Sequence, residues 1–170
     1  MDVLSAIEGR RSIRKYSSKK VEDEKLKKVL EAARLSPSAR NTQAWKFIVV
    51  KDPDKIKKIG DTTQSSQFLS EAPCVIVACG ADPQSIMRCG QLRHTVDLSI
   101  ATAYLILEAY EQGLGTCWIG SYDEQKVKEI LNIPKGVRVV ALTPLGYPAE
   151  TPDARFRKSL DEIVCYETYN

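Results

Sequence analysis

The sequence predicts an α+β domain in which helices and strands interleave around a central mixed, mostly antiparallel sheet. Two observations carry that expectation. Leu26, Val29, Leu30 and Ala33 repeat at helical spacing. KFIVV at 46–50 and the buried-looking run at 74–79 in APCVIVACG read as core strands separated by helical sequence. The chain has 170 residues, which fits a single domain over 1–170 able to bury a core without disulfide or metal staples.

Taken in order, Asp2 to Gly9 reads as a short first helix, ended by Gly9 and the basic run that follows. Acids at 22 and 23 open the second helix, which stops at Ser36-Pro37 because a residue before proline disfavours the helical region. Strand Lys46–Val50 follows, then a helix after Asp52-Pro53 and a strand over Cys74–Cys79. Asp97 is the expected N-cap of a long helix running to Gln112 and ended by Gly113. Its Leu98–Leu107 portion is apolar on every side, so it needs cover on every side. A second copy of the chain supplies that cover in one reading, and a fully enclosed core helix in the other. Thr116–Ile119 is expected as a strand, Asp123–Leu131 as a helix, Val137–Leu142 as a strand, and the tail Ile163–Tyr169 as β-prone.

Composition narrows the function. Hydrophobic residues make up 43% and charged residues 28%, which excludes a disordered tail. The longest uncharged helical stretch has ten residues, short of the ~18 that suggest a bilayer span. The segment MDVLSAIEGRR lacks the apolar block of a secretory signal, so a cytoplasmic setting without membrane attachment is expected. The net charge of +3 is too small for a nucleic-acid binder. Its distribution is uneven, because Arg10, Arg11, Arg14, Lys15, Lys19 and Lys20 fall together with no acid among them. Such a run suits a small anion such as a phosphate, or else a solvated charged face. The cysteines number five, an odd count that argues against a disulfide framework. Cys74 and Cys79 lie five apart on a strand and so face opposite ways, which weakens a metal set with Cys89 and His94. No metal site is expected, and a single histidine makes a Ser-His-Asp or Cys-His hydrolase improbable.

Four segments lack a simple core explanation. In RRSIRKY, guanidinium forks and a hydroxyl within five residues suit a phosphate monoester, and Arg155 and Arg157 of RFRKSLDEIV could complete the cage. In SPSARNTQAW, Ser36, Ser38, Asn41, Thr42 and Gln43 offer donors and acceptors to a heterocycle edge. GLGTCWIG follows a helix and does not match the dinucleotide fingerprint, so its glycines suit close backbone approach to a flat ligand, or simply helix termination.

RRSIRKY, SPSARNTQAWKFIVV, EAPCVIVACG, GLGTCWIGSYDE and LGYPAE occur in an order that resembles the nitroreductase family of flavoproteins, over nearly the whole chain. The resemblance implies a three-layer fold with helices on both sides of the sheet, and an intertwined homodimer binding FMN noncovalently at its interface. It implies that Arg10, Arg11 and Ser12 hold the phosphate and ribityl chain with Arg155 and Arg157, and that Arg14 lies near the flavin pyrimidine edge. Pro37, Ser38, Ala39, Asn41 and Gln43 would come from the second chain. Trp118, Ile119, Gly120 and Ser121 would line the ring through backbone groups, and Gln67 would touch its polar edge. A C-terminal arm over about 159–170 would reach the other subunit.

The implied activity is ping-pong transfer of hydride from NAD(P)H through flavin N5 to nitroaromatic, quinone or similar electron-poor acceptors. No catalytic side chain is then required, since the cofactor carries the chemistry. The short sequence between the EAP strand and Asp97 leaves little for a lid, so the site is open or covered by the second chain's tail. Cys117 stands near the implied flavin face, as a packing group or a modulator of potential. Other readings are a flavin-binding module without turnover, the same fold performing dehalogenation or flavin fragmentation, and a nucleic-acid module.

Overall fold

The structure is a computed structural model that describes residues 2–64 and 66–169, so the final residue of the expected arm lies outside it, as does the first residue of the expected domain. Helix α1 (Val3–Gly9) opens at Asp2, whose carboxylate accepts the Ser5 N–H at 3.0 Å. Helix α2 (Asp23–Arg34) buries Leu26, Val29 and Ala33 on one stripe and closes before Ser36, as the proline requires. Strand β1 (Trp45–Val50) and helix α3 (Pro53–Gly60) follow. Asp52 caps α3 by accepting the N–H groups of Asp54 and Lys55.

Helix α4 (Ser66–Glu71) escaped the sequence reading because six residues are too short for a periodic stripe. Leu69 nevertheless anchors it fully buried. Strand β2 (Cys74–Gly80) is buried along its whole length. Helix α5 runs Arg93–Glu111, so Asp97 is not its N-cap but a residue one turn inside it. The backbone does the capping instead: the Arg93 N–H donates to the Ser85 carbonyl at 2.9 Å, where a bridge between Ile86 and Leu92 folds the preceding segment back.

Strand β3 is only Gly115–Thr116, shorter than expected and displaced from it, and touches β4 again at a single Ile119–Leu142 bridge. Gly115 has no side chain because a Cβ there would lie 2.6 Å from Ile13. Helix α6 (Glu124–Leu131) is capped by Asp123, and β4 extends over Arg138–Gly146, beyond the expected end. The tail is not a strand. A short 3₁₀ turn at Leu160–Glu162, boxed by Ser159 and Glu162, sits in an exposed segment that pairs with no strand among the described residues.

The sheet order is β1-β2-β4-β3 with every neighbouring pair antiparallel, and a parallel bridge from Ser12 to Thr116 makes its edge mixed. The faces follow the strand alternation. Val75, Val77 and Cys79 pack with Ile56, Ile59, Leu69 and Val127 of α3, α4 and α6. Cys74 and Ile76 pack with Val29, Ala33, Ala101, Leu105 and Ala109 of α2 and α5. The two strand cysteines therefore lie in different cores, and burial pushes both thiols up to about 11. Register shifts where Ala78 pairs Ala141 and Cys79 pairs Val139, which skips Val140 and lets Val139 and Leu142 share one face.

Helix α5 is enclosed only in part. Leu98, Ala101, Leu105 and Ala109 are buried, whereas Ala103 and Tyr104 are exposed. Val3, Leu4 and Ile7 of α1, Phe156, and Leu160, Ile163 and Tyr166 of the arm add further apolar surface that this chain leaves uncovered.

One ionic cluster joins α6 to β4. Glu124 accepts from Arg138 Nε at 2.9 and 3.0 Å and from the Val139 N–H at 2.8 Å, and pairs with Lys128 at 3.3 Å. Burial alone would raise its carboxyl, but these bonds outweigh it and hold the group below the ordinary range. A depressed carboxyl stabilises the fold above its unfolded pKa and loses that contribution as pH falls through the folded value. Glu124→Gln is expected to cost about 2 kcal/mol at pH 7, below the ~3–5 of a fully buried pair because Arg138 is half exposed. Urea unfolding at pH 7 and pH 4 should show the deficit shrinking at the lower pH. An equal midpoint at pH 7 would contradict the cluster's role.

Candidate functional site

The basic run is laid along the sheet edge by backbone bonds. The Ile13 N–H donates to Thr116 O at 2.8 Å, the Ser17 N–H to Tyr147 O at 2.9 Å, and the Ala149 N–H to Lys15 O at 2.9 Å. Ile13 and Tyr16 turn inward against Phe68 and Ala72. The Tyr16 hydroxyl donates to Ile13 O at 2.7 Å, and its burial pushes its pKa far above the ordinary phenol range. That alternation leaves Arg14 and Lys15 exposed. The Arg14 N–H donates to the Glu150 carboxylate, 136 residues away in sequence, which ties the run to the chain leaving β4.

Arg10, Arg11, Ser12, Arg14, Arg155 and Arg157 line one cavity of about 630 Å³, where the chain beyond β4 folds back over the end of α1. The convergence expected from opposite ends of the sequence is present within a single chain. Five guanidinium groups face this space against two carboxylates, Glu8 and Asp153. The arginines differ in commitment. One nitrogen of Arg11 donates to the carbonyls of Glu8, Gly9 and Arg10 at 2.7, 3.0 and 2.9 Å, covering the negative end of α1. Arg157 donates to the carbonyls of Arg155 and Phe156. The side chains of Arg10 and Arg155 have no partner among the described bonds. Clustered, unpaired guanidinium groups in a cavity of this size fit a phosphate monoester.

The other expected residues lie apart from this cavity. Pro37, Ser38, Ala39, Asn41 and Gln43 sit on the loop between α2 and β1. There Ser38 Oγ accepts the Gln43 N–H at 3.1 Å, and Gln43 Nε2 donates to Asn41 O and Oδ1. Trp118, Gly120 and Ser121 are exposed along the chain leaving β3, and Ile119 is buried. The Ile119 N–H donates to Leu142 O at 2.9 Å, so of this stretch Trp118, Gly120 and Ser121 keep backbone N–H groups without a described partner. Gln67 is exposed on α4, beside Phe68, whose ring lies 6.0 Å from the Arg14 guanidinium. Cys117 is buried behind the basic run. Burial pushes its thiol up although Arg14 and Ser12 pull the other way, and it stays protonated, as a packing group does.

Two residues of the site went unmarked in the sequence. Glu150 belongs to LGYPAE, but nothing in that motif reveals a bond to Arg14. Asp97 accepts the Ala39 N–H at 3.1 Å, and an acid in an otherwise apolar helix was the available signal, read instead as a cap.

A helix–sheet–helix sandwich with a guanidinium-lined cavity at its sheet edge has the chemistry to receive a phosphorylated ligand. The nitroreductase family profile matches residues 7–68 and 61–147, and the chain belongs to that family. A candidate NADH dehydrogenase/NAD(P)H nitroreductase of Archaeoglobus fulgidus is 38% identical over 156 residues, covering 89% of this chain and 88% of its own length. The crystal structure of a nitroreductase family protein from Clostridium novyi superposes with a TM-score of 0.85 at 35% identity, over 95% of this chain and 91% of that one. An FMN-dependent nitroreductase from Clostridium difficile gives 0.84 at 30% identity, over 98% and 99%. More distant relatives are named an FMN reductase acting with NAD(P)H, from Bacillus subtilis, at 26% identity, and an iodotyrosine deiodinase, from Thermotoga neapolitana, at 24%. Among the described residues no helix is long and apolar enough to cross a membrane.

Proposed function

We propose that this chain is an FMN-dependent oxidoreductase that takes hydride from NAD(P)H and delivers it to nitroaromatic, quinone or similar electron-poor acceptors, working as a homodimer. The observation that carries the reading is the pair of uncommitted guanidinium groups, Arg10 and Arg155, brought together from opposite ends of the sequence. FMN, when bound, would supply the two-electron redox chemistry that the side chains of this protein lack.

The protein's own residues bind and orient. Arg10 and Arg155 hold the phosphate, with the Ser12 hydroxyl and Arg157 beside them. Arg11 contributes its remaining nitrogens and, by covering three carbonyls, keeps the negative end of α1 from repelling the anion. Arg14, steadied by Glu150, places positive charge toward the pyrimidine edge, with Gln67 on the neighbouring helix. Gly120 and Ser121 offer the ring backbone N–H groups, while Trp118 and Ile119 shape its bed.

Pro37, Ser38, Ala39, Asn41 and Gln43 act on the flavin of a second copy, because in their own chain they stand away from the cationic cavity. Support for a dimer comes from the uncovered faces of α1 and α5 and the exposed apolar arm, which are unusual on a monomer. Cys74, Cys79, Cys89 and Cys117 are thiols outside any described disulfide, which suits a reducing cytoplasm.

The purified protein is expected to be yellow and to oxidise NAD(P)H with nitroaromatic or quinone acceptors. Parallel double-reciprocal lines would mark a ping-pong cycle. A colourless protein that takes up no added FMN would end this reading. Deiodinase relatives favour a second one, reductive dehalogenation in the same site. A halophenol in the acceptor panel, scored by halide release, separates the two.

A further inference from the structure

The loop between α2 and β1 is held in an unfavourable shape. Arg40, Asn41 and Gln43 adopt left-handed φ values of 56°, 54° and 49°, and none is glycine. Side chains crowd the backbone in that region, so each such residue persists only where its surroundings over-determine it. Most of the loop's bonds are internal, such as the Asn41 N–H to Ser38 O at 2.9 Å and the Gln43 N–H to Ser38 Oγ at 3.1 Å. Apart from bonds to the adjoining ends of α2 and β1, two described bonds join it to the rest of the fold: the Ala81 N–H donates to Ala44 O at its end, and Asp97 accepts the Ala39 N–H within it.

Asp97 is an unusual residue for its place. It is 5% exposed on α5, one turn from the helix start, between Val96 and Leu98, and forms no ion pair among the described residues. Burying a carboxylate without a cation is costly, and an apolar side chain of similar volume would pack there more cheaply. The positive end of α5 offsets part of that cost, and the one described use of the carboxylate is the Ala39 N–H.

We propose that Asp97 is a positioning residue. Its carboxylate fixes residues 38–43 in the left-handed shape in which the loop meets the flavin held by a second copy of this chain. The last part rests on the proposed function, so the test reads the anchor and the flavin separately.

Holoenzyme of Asp97→Ala, Asp97→Leu, Asp97→Asn and Asn41→Ala is compared with the parent by amide exchange of the 36–44 segment and by FMN titration after flavin removal. Asp97→Ala and Asp97→Leu are expected to speed exchange in 38–43 at least tenfold while β2 keeps its protection, and to weaken FMN about tenfold, as loss of a bond to a charged group does. Asp97→Asn keeps an oxygen acceptor and should stay within about threefold of the parent in both. Leucine fills the space that alanine leaves, so one apolar variant reports even if the other fails to fold. Unchanged exchange in either apolar variant overturns the anchor. Faster exchange with unchanged FMN affinity, while Asn41→Ala weakens FMN, overturns the coupling. Unchanged FMN affinity in all four variants places the loop away from flavin. That outcome refutes the shared-site reading and this proposal's flavin role with it, while faster exchange would still uphold the anchor itself.

Discussion

Arg10→Ala is expected to weaken FMN binding by about 1.5–3 kcal/mol, roughly 10- to 100-fold, the range for a bond to a charged group. Arg10 is the arginine whose loss should register most cleanly. It is partly buried, lines the cavity, and its side chain has no partner among the described bonds that would compete for it or rearrange on its removal. Arg155→Ala should act in the same direction with a smaller effect, because that side chain is exposed and its attraction is screened. Arg11→Ala should behave differently, lowering stability as well as affinity, since it uncovers the carbonyls of Glu8, Gly9 and Arg10. Quenching of flavin fluorescence on titrating apoprotein measures all three. Unchanged affinity in Arg10→Ala would contradict the phosphate assignment.

A chain ending after Lys158 is expected to lose dimerisation and flavin together while its own fold stays nearly as stable. The arm's Leu160, Ile163 and Tyr166 are 74%, 62% and 83% exposed, so removing them takes little packing from the single chain. Arg155 and Arg157 remain, so the cationic side of the cavity is kept, and only Ile163 is lost from its lining. What disappears is apolar surface suited to a second copy, and with the second copy goes its loop over 37–43. Size-exclusion mass, flavin content and thermal unfolding of the truncated chain separate these effects. A yellow dimer of unaltered mass per subunit pair would remove the arm from the interface.

The sequence made legible whatever depends on local pattern. The stripe through Leu26, Val29 and Ala33 marks α2, Asp52-Pro53 marks the start of α3, and the runs through Val49 and Val77 mark two strands. The basic segment and the distant Arg155 and Arg157 suggested an anion site by residue type alone, and the fold brings them to one cavity. Features set by distant partners stayed hidden. The start of α5 moved from Asp97 to Arg93 because a carbonyl from Ser85, not a side chain, caps it. The β-prone tail is no strand because strand character needs a paired neighbour, and the tail lies exposed, away from the sheet of its own chain. Glu150 bonds Arg14 across 136 residues and Asp97 bonds Ala39 across 58, and spacing in the sequence carries no trace of either. The Ile119 N–H is likewise engaged by Leu142 O of β4, a pairing that local pattern does not reveal.

Titrating the apoprotein with FMN and with riboflavin, which differ only in the phosphate, tests the cationic cavity most directly. Recognition by Arg10 and Arg155 requires FMN to bind at least about 100-fold more tightly, with the preference shrinking in added inorganic phosphate and in Arg10→Ala. Equal affinity for the two flavins would show that the guanidinium groups lining this cavity do not hold the cofactor.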